Sequence, residues 1–298
     1  MATTAATVTG DFSGFLSPNQ AGPIFEQARQ ASVAQQLARQ VPLGANGVEI
    51  PVVTSKPQAG WVAEAGQKPA TKGSMALKTM TPKKLAAITV VSAEVVRANP
   101  GNYINIYRQD VAEAFALAFD SAALHGTSTP FTTFIAQTTK TVELGTATAA
   151  AGSVHTDINS GLALLVNAKK RLTGFAFDSV TEPLFNAAVD TTGRPLFIDS
   201  PLTETAATVR AGRILGRPAF VGEGVAAGTT VGFGGDWTQA AWGVVGGITY
   251  DVSTEATVTI NGELTSLWEN NLVAIRAEAE YGWLVNDVAA FVEYTNAT

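Results

Sequence analysis

The 298-residue chain contains no cysteine. That absence excludes disulfides, thiolate metal sites and a thiol nucleophile, and it suits a reducing compartment. Charge is scarce too: Asp, Glu, Lys and Arg make up 15% of residues, against 46% hydrophobic. A freely soluble monomer carries about a quarter or more of its surface as charged side chains, so surface hidden by self-association is expected. There is no basic surplus. Lys and Arg number 19 against 25 Asp and Glu, a formal net charge of −6, which argues against gripping phosphate backbones through a cationic face and leaves only loose contact with nucleic acid. No run approaches the roughly 18 to 20 apolar residues that a helix needs to cross a bilayer. The N-terminus lacks a basic patch followed by an apolar core, so it reads as an arm and not as a secretory signal.

What is present is most informative over residues 50–96. Ile50-Pro-Val-Val53 is extended and β-branched, and a second arm, Leu85-Ala-Ala-Ile-Thr-Val-Val91, returns after a long polar excursion. The excursion is rich in Gly, Ala and Lys, with Trp61 as its one large aromatic. A two-stranded ribbon is at best marginal alone in water, so a projection this long should be ordered by another surface, that of a neighbouring copy.

Elsewhere helices and strands are mixed. Residues 23–40 suit a helix stopped by Pro42, and Ser92 suits the N-cap of a short one. From residue 102 to Gly126, the series Ile104, Tyr107, Val111, Phe115, Ala118, Ala122 steps by three and four, with Asn105, Gln109, Glu113 and Asp120 on the other faces. At 1.5 Å per residue this helix is on the order of 35 Å long, a rod able to act as a spine. The Thr- and Ala-rich run 127–152 reads as hairpins or a loose connection. A helix is expected over 157–172, with Leu162, Leu165 and Val166 facing in and Lys169-Lys-Arg171 at its C-terminal end. Strands are expected at 174–178, 213–221, 231–233, 241–245, 248–252, 271–279 and 289–294, with a short helix over 182–189.

Catalytic patterns are thin. His125 and His155 are the only histidines. Ser153, His155 and Asp157 lie close in sequence but offer neither a nucleophile elbow nor an oxyanion hole, so helix capping and surface polarity account for them better. His125 reads as a dipole partner at the end of the long helix. Gly222-Glu-Gly-Val-Ala-Ala-Gly228 misses the dinucleotide spacing, and no Gly-Lys-Ser/Thr phosphate loop occurs. Glu278 and Glu280 are two apart on a strand face, with Arg276 alongside to pair them. Neither a metal nor a cofactor is expected.

The order of these pieces resembles a family: the major capsid proteins of tailed bacteriophages, with the Hong Kong 97 fold. The resemblance rests on Gly60-Trp-Val-Ala-Glu64 with Lys83-Lys-Leu85 and Val91-Ser-Ala-Glu-Val-Val96, and on the spine through Phe115 to Gly126. It rests also on Ile214-Leu-Gly-Arg-Pro218, on Gly234-Gly-Asp-Trp237 with Gly247-Ile-Thr-Tyr250, and on Asn271 to Trp283 with Ala289-Ala-Phe-Val292. It implies an α+β chain divided into an N-terminal arm (1–45), an extended β-hairpin E-loop and its flanks (46–96), a peripheral domain holding the spine (97–152 and 254–298) and an axial domain (153–253). The implied role is self-assembly into hexamers and pentamers of an icosahedral shell around double-stranded DNA, inside a bacterial host cytoplasm and then in the virion. Implied partners are further copies, a portal, a scaffold, possible decoration proteins and loosely held DNA, with no membrane. Only 45 residues precede the E-loop flank, and Met1 favours a separate scaffold over a processed leader.

The resemblance also nominates contact residues between subunits: Trp61, Glu64, Lys68, Lys72 and Met75. Some members weld subunits through a Lys-Asn isopeptide bond, and here Lys68 or Lys72, Asn271 and Glu278 fall at the matching places. Such a lysine must be neutral to attack, which calls for a low-dielectric site and a carboxylate to take its proton. Encapsulin shells, similar in fold but enclosing enzymes, are the alternative, and the arm and long loop favour a virus. A hydrolase built on His155 is the enzyme-class rival.

Overall fold

The computed structural model describes residues 32–296 except 63, 65, 69, 99–102, 149–152, 189–197 and 200–209. It begins with α1 (Val33–Leu37) and β1 (Arg39–Gln40), then β2 (Val48–Ser55), β3 (Ser74–Met80) and β4 (Lys83–Ser92). Next come α2 (Ala93–Ala98), the spine α3 (Tyr103–Asp120), β5 (Thr141–Leu144), α4 (Val154–Asn167), β6 (Gly174–Asp178) and α5 (Glu182–Ala187). The rest is strand: β7 (Ile198–Asp199), β8 (Arg210–Ile214), β9 (Arg217–Gly222), β10 (Thr230–Gly235), β11 (Ala240–Ser253), β12 (Thr257–Ile260), β13 (Glu263–Ser266), β14 (Leu272–Val285) and β15 (Phe291–Asn296).

Two main sheets organise the molecule. A four-stranded sheet runs β1-β11-β14-β4, and a seven-stranded sheet runs β5-β15-β10-β6-β9-β8-β7. Two ribbons, β2-β3 and β12-β13, stand outside both. The spine lies on the four-stranded sheet, where Tyr107, Val111 and Phe115 pack on Ile275, Ala277 and Ala279. Those alternate residues share one face of β14, and the two alanines let the helix come close. On the seven-stranded sheet, α4 sets Ile158 and Leu165 against Phe175, Phe177 and Tyr294. A third cluster, including Phe119, Leu124, Trp237, Trp283 and Phe291, joins the two sheets. Each fully buried aromatic contributes on the order of 1.5–3 kcal/mol.

Several sequence expectations are corrected by long-range pairing. The partner of β2 is β3, in antiparallel register from Val48 opposite Met80 to Ser55 opposite Ser74. Residues 85–91, read as the ribbon's second arm, instead lie in β4, which pairs with β14 along its whole length. The β-branched run suited either partner, and β14 offers a buried one. Of the helix expected over 23–40, residues 23–31 lie outside the described residues, and the remainder is helical only from Val33 to Leu37, with Ser32 as N-cap. Arg39 and Gln40 are strand, paired in parallel with Ala241 and Trp242.

The spine ends in a π-helical turn, Ser121–His125. There Phe119 and Asp120 are buried, whereas Ala118, placed in the inward series, is exposed. The 213–221 strand is a hairpin that turns at Leu215-Gly216, both at positive φ. The two strands expected at 241–245 and 248–252 are one, β11, with a bulge between Val245 and Thr249 where Gly246 and Gly247 take positive φ. In the Thr-rich run, residues 141–144 form β5, parallel to β15. On α4, Leu165 is buried, but Val166 is 57% exposed. Lys170 forms an ion pair with Asp287 at 2.5 Å, beyond the helix end.

Candidate assembly surface

The ribbon's base is built into the subunit. Met80 is 1% exposed and passes over Gly282 and Gly243, where an added Cβ would stand 2.9 Å from Met80 Cγ and 2.6 Å from the Val41 carbonyl respectively. Lys78 Nζ donates to the Asn286 carbonyl at 2.6 Å. Farther out the support ends. Met75 (66%), Leu77 (62%) and Val53 (55%) are exposed, and Trp61 is wholly so. A two-stranded ribbon in that condition has no covering layer among the described residues to stabilise it, and its apolar side chains stand open to solvent.

The predicted contact residues all fall here. Trp61, Glu64, Lys68 and Lys72 lie in the exposed connection between β2 and β3, and Met75 is on β3. The predicted weld residues are not brought together within one subunit. Asn271 sits at φ 54 just before β14, exposed, with its amide donating to the Glu94 carboxylate. Glu278 is seven residues along the strand, about 20 Å or more away at strand rise. It contacts Lys84 at 3.2 Å and Arg276 at 3.5 Å, and Arg276 reaches Asp251 at 2.7 Å. Such exposed pairs are screened by solvent and contribute little to stability.

A second outward patch escaped the sequence reading. Leu264 is 80% exposed and Trp268 77% exposed, on or just after the β12-β13 ribbon. Its signal was present in Asn261-Gly262, a turn with both residues at positive φ flanked by alternating residues.

No relay forms at the Ser153, His155, Asp157 series. The Asp157 carboxylate accepts the Gly145 N–H at 2.8 Å and the Thr146 hydroxyl at 3.1 Å, while His155 faces solvent. His125 is not a charged helix cap. Its Nε2 shares a 2.7 Å hydrogen bond with the Val225 carbonyl, and burial lowers its pKa, favouring the neutral ring. Among the described residues no group of His, Asp and Glu could hold a metal, and no helix is long and apolar enough to cross a membrane.

The model of the phage capsid family matches residues 13–296. The chain belongs to the phage capsid family. It is similar to the "Probable major capsid protein gp17" of Mycobacterium phage D29, 47% identical over 294 residues that cover 97% of this chain and 92% of that one. The protein of the same description in Mycobacterium phage L5 is also 47% identical, with the same coverage. In fold it resembles solved chains from Mycobacterium phage Cain, with a TM-score of 0.76 at 18% identity over 99% of both chains. It resembles one from Microbacterium phage Oxtober96 as well, at 0.74 and 20% over 97% of this chain and 98% of that one. Membership makes the chain a structural protein of a phage shell and not an enzyme. The encapsulin and hydrolase alternatives are not favoured, since both relatives at 47% identity are phage capsid proteins.

Proposed function

We propose that this capsid protein assembles into hexamers and pentamers of an icosahedral shell around double-stranded DNA, each subunit laying its 48–80 ribbon across a neighbour. The observation that carries this is the ribbon itself: paired only with itself among the described residues, anchored at Met80 and Lys78, and ending in a fully exposed Trp61. In this reading Trp61, Glu64, Lys68, Lys72 and Met75 contact the neighbouring subunit. The arm (1–45), E-loop with flanks (46–96), peripheral domain (97–152 and 254–298) and axial domain (153–253) describe positions in the shell and not separate sheets, because β15 and β10 pair with each other. Assembly proceeds in the host cytoplasm with a scaffold and a portal, and decoration proteins bind the finished shell. The acidic balance of the chain supports loose contact with DNA.

The same ribbon carries Lys68 and Lys72 toward a neighbour's Asn271, and an isopeptide weld there is part of the proposal. A neutral lysine amine attacks the Asn271 side-chain carbonyl carbon and a C–N bond forms; a carboxylate takes the lysine proton and passes it to the departing amide nitrogen, whose C–N bond breaks and which leaves as ammonia. The separation of Asn271 from Glu278 within one subunit means that Glu278 would come from a further copy. Negative-stain electron microscopy of the expressed protein tests the assembly reading: closed shells, tubes or rings are expected, and single 30.9 kDa particles at high concentration would refute it.

A further inference from the structure

A groove of about 500 Å³ opens beside the ribbon's base, between the end of the spine and the starts of β4 and the 127–131 segment. Its lining includes Phe119, Phe131, Tyr281 and Leu85, with Lys83 and Lys84 among them. The floor is a set of packed rings: Phe119 lies 6.0 Å from Phe131 and 5.4 Å from Tyr281, centroid to centroid. Lys84 is paired with Glu278, while Lys83 is exposed and forms no ion pair among the described residues. An aromatic floor under a cationic edge suits an occupant with a flat apolar ring and a nearby carboxylate.

The chain carries such a segment. Trp61 is fully exposed, Val62 beside it is 40% exposed, and Glu64 follows, exposed and without an ion pair among the described residues. A subunit's own Trp61 stands wholly exposed and is not among the residues that line its own groove. The groove borders Lys83, three residues past the ribbon's base, whereas seven residues of β3 separate that base from the tip connection, a span of about 20 Å. The occupant is therefore a second copy.

We propose that the groove receives the Trp61 ring of a second copy, with that copy's Glu64 set against Lys83 and Lys84. This rests on the shell reading and names its acceptor site. The contact is heterologous, knob on one copy and groove on the next, so it propagates around a ring.

The test uses assembly of the full chain, scored by electron microscopy and sedimentation, with circular dichroism as a folding control. Trp61→Ala removes the knob, and Ala118→Trp fills the groove from an exposed position on its lining. Each should raise the concentration needed for assembly by about tenfold or more, as loss of a central aromatic anchor does. Glu64→Lys and Lys83→Glu should each impair assembly, and the double exchange should restore it. Because the chain has no cysteine of its own, Val62→Cys with Thr127→Cys gives a readout independent of yield. In an Asn271→Ala background, which removes the proposed weld, oxidation of assembled particles with diamide should link subunits into oligomers that collapse on reduction, and neither single-cysteine variant should do so. Shells that form normally in all four variants, or an assembled double-cysteine shell that does not link, would overturn the groove and leave the shell reading standing. Failure of the unaltered chain to assemble would instead overturn the shell reading.

Discussion

The Asp120 carboxylate, at the last residue of the spine, accepts the Ser32 hydroxyl hydrogen at 2.5 Å. It also accepts the Val33 and Ala34 N–H groups at 2.7 and 3.2 Å. A carboxylate from another element thus caps α1 at its electropositive end, pinning the segment that leads out of the N-terminal arm to the spine. Asp120 is fully buried, and burial outweighs the three hydrogen bonds, raising its pKa from 3.8 to about 6.

A raised carboxyl pKa gives a definite sign to the pH dependence. The stabilising contribution of the protonated acid is whole below 3.8 and lost as pH rises through about 6. A shift of about two units corresponds to about 3 kcal/mol. Denaturant unfolding of the wild type and of Asp120→Asn, compared from about pH 4 to about pH 7, should show the wild type losing stability relative to the variant by that order. A constant difference across the range would contradict the assignment.

Gly161→Ala should destabilise the subunit. An added Cβ would stand 2.3 Å from the Tyr294 hydroxyl oxygen and 2.8 Å from its Cζ. Tyr294 is buried and donates to the Ile158 carbonyl at 3.3 Å, so the ring cannot swing away without losing packing and a partner. A cost of about 1–3 kcal/mol is expected from the denaturation midpoint.

Met75→Ala and Leu77→Ala separate stability from assembly. Both side chains are exposed in the single subunit, so unfolding free energy should change by no more than about 0.5 kcal/mol. Particle yield should nevertheless fall, as electron microscopy or sedimentation would show.

Boiling purified particles in SDS checks the proposed weld. A ladder of multiples of 30.9 kDa, lost in Asn271→Ala, is expected; a lone monomer band rules the weld out.

The parts legible in the sequence were those set by local periodicity. The spine showed in Tyr107, Val111 and Phe115, and the short helix after Ser92 in its cap, where Ser92 Oγ accepts the Val95 N–H at 3.3 Å. Pairing partners were less legible. Residues 83–92 could serve any neighbouring strand, and only the buried face of β14 decides the matter. Asp120 looked like a surface residue because its partner lies 88 positions away. Phe119 and not Ala118 faces inward because it continues the four-residue step of Tyr107, Val111 and Phe115. Glycine misled twice, marking a bulge within β11 and a turn within a supposed single strand. The exposure of the ribbon was legible in the Gly- and Ala-rich stretch around Trp61, because a segment with so little to bury cannot organise itself. The groove beside the ribbon's base was not, since Lys83, Phe131 and Tyr281 meet only through tertiary structure.

Amide hydrogen exchange of the ribbon, compared between dissociated subunits and assembled particles, tests most directly whether β2 and β3 depend on a neighbour for their order. Their amides should exchange rapidly in the subunit and become protected in the particle, while β14 and β10 stay protected in both. Equal protection of the ribbon in the two states would contradict the account.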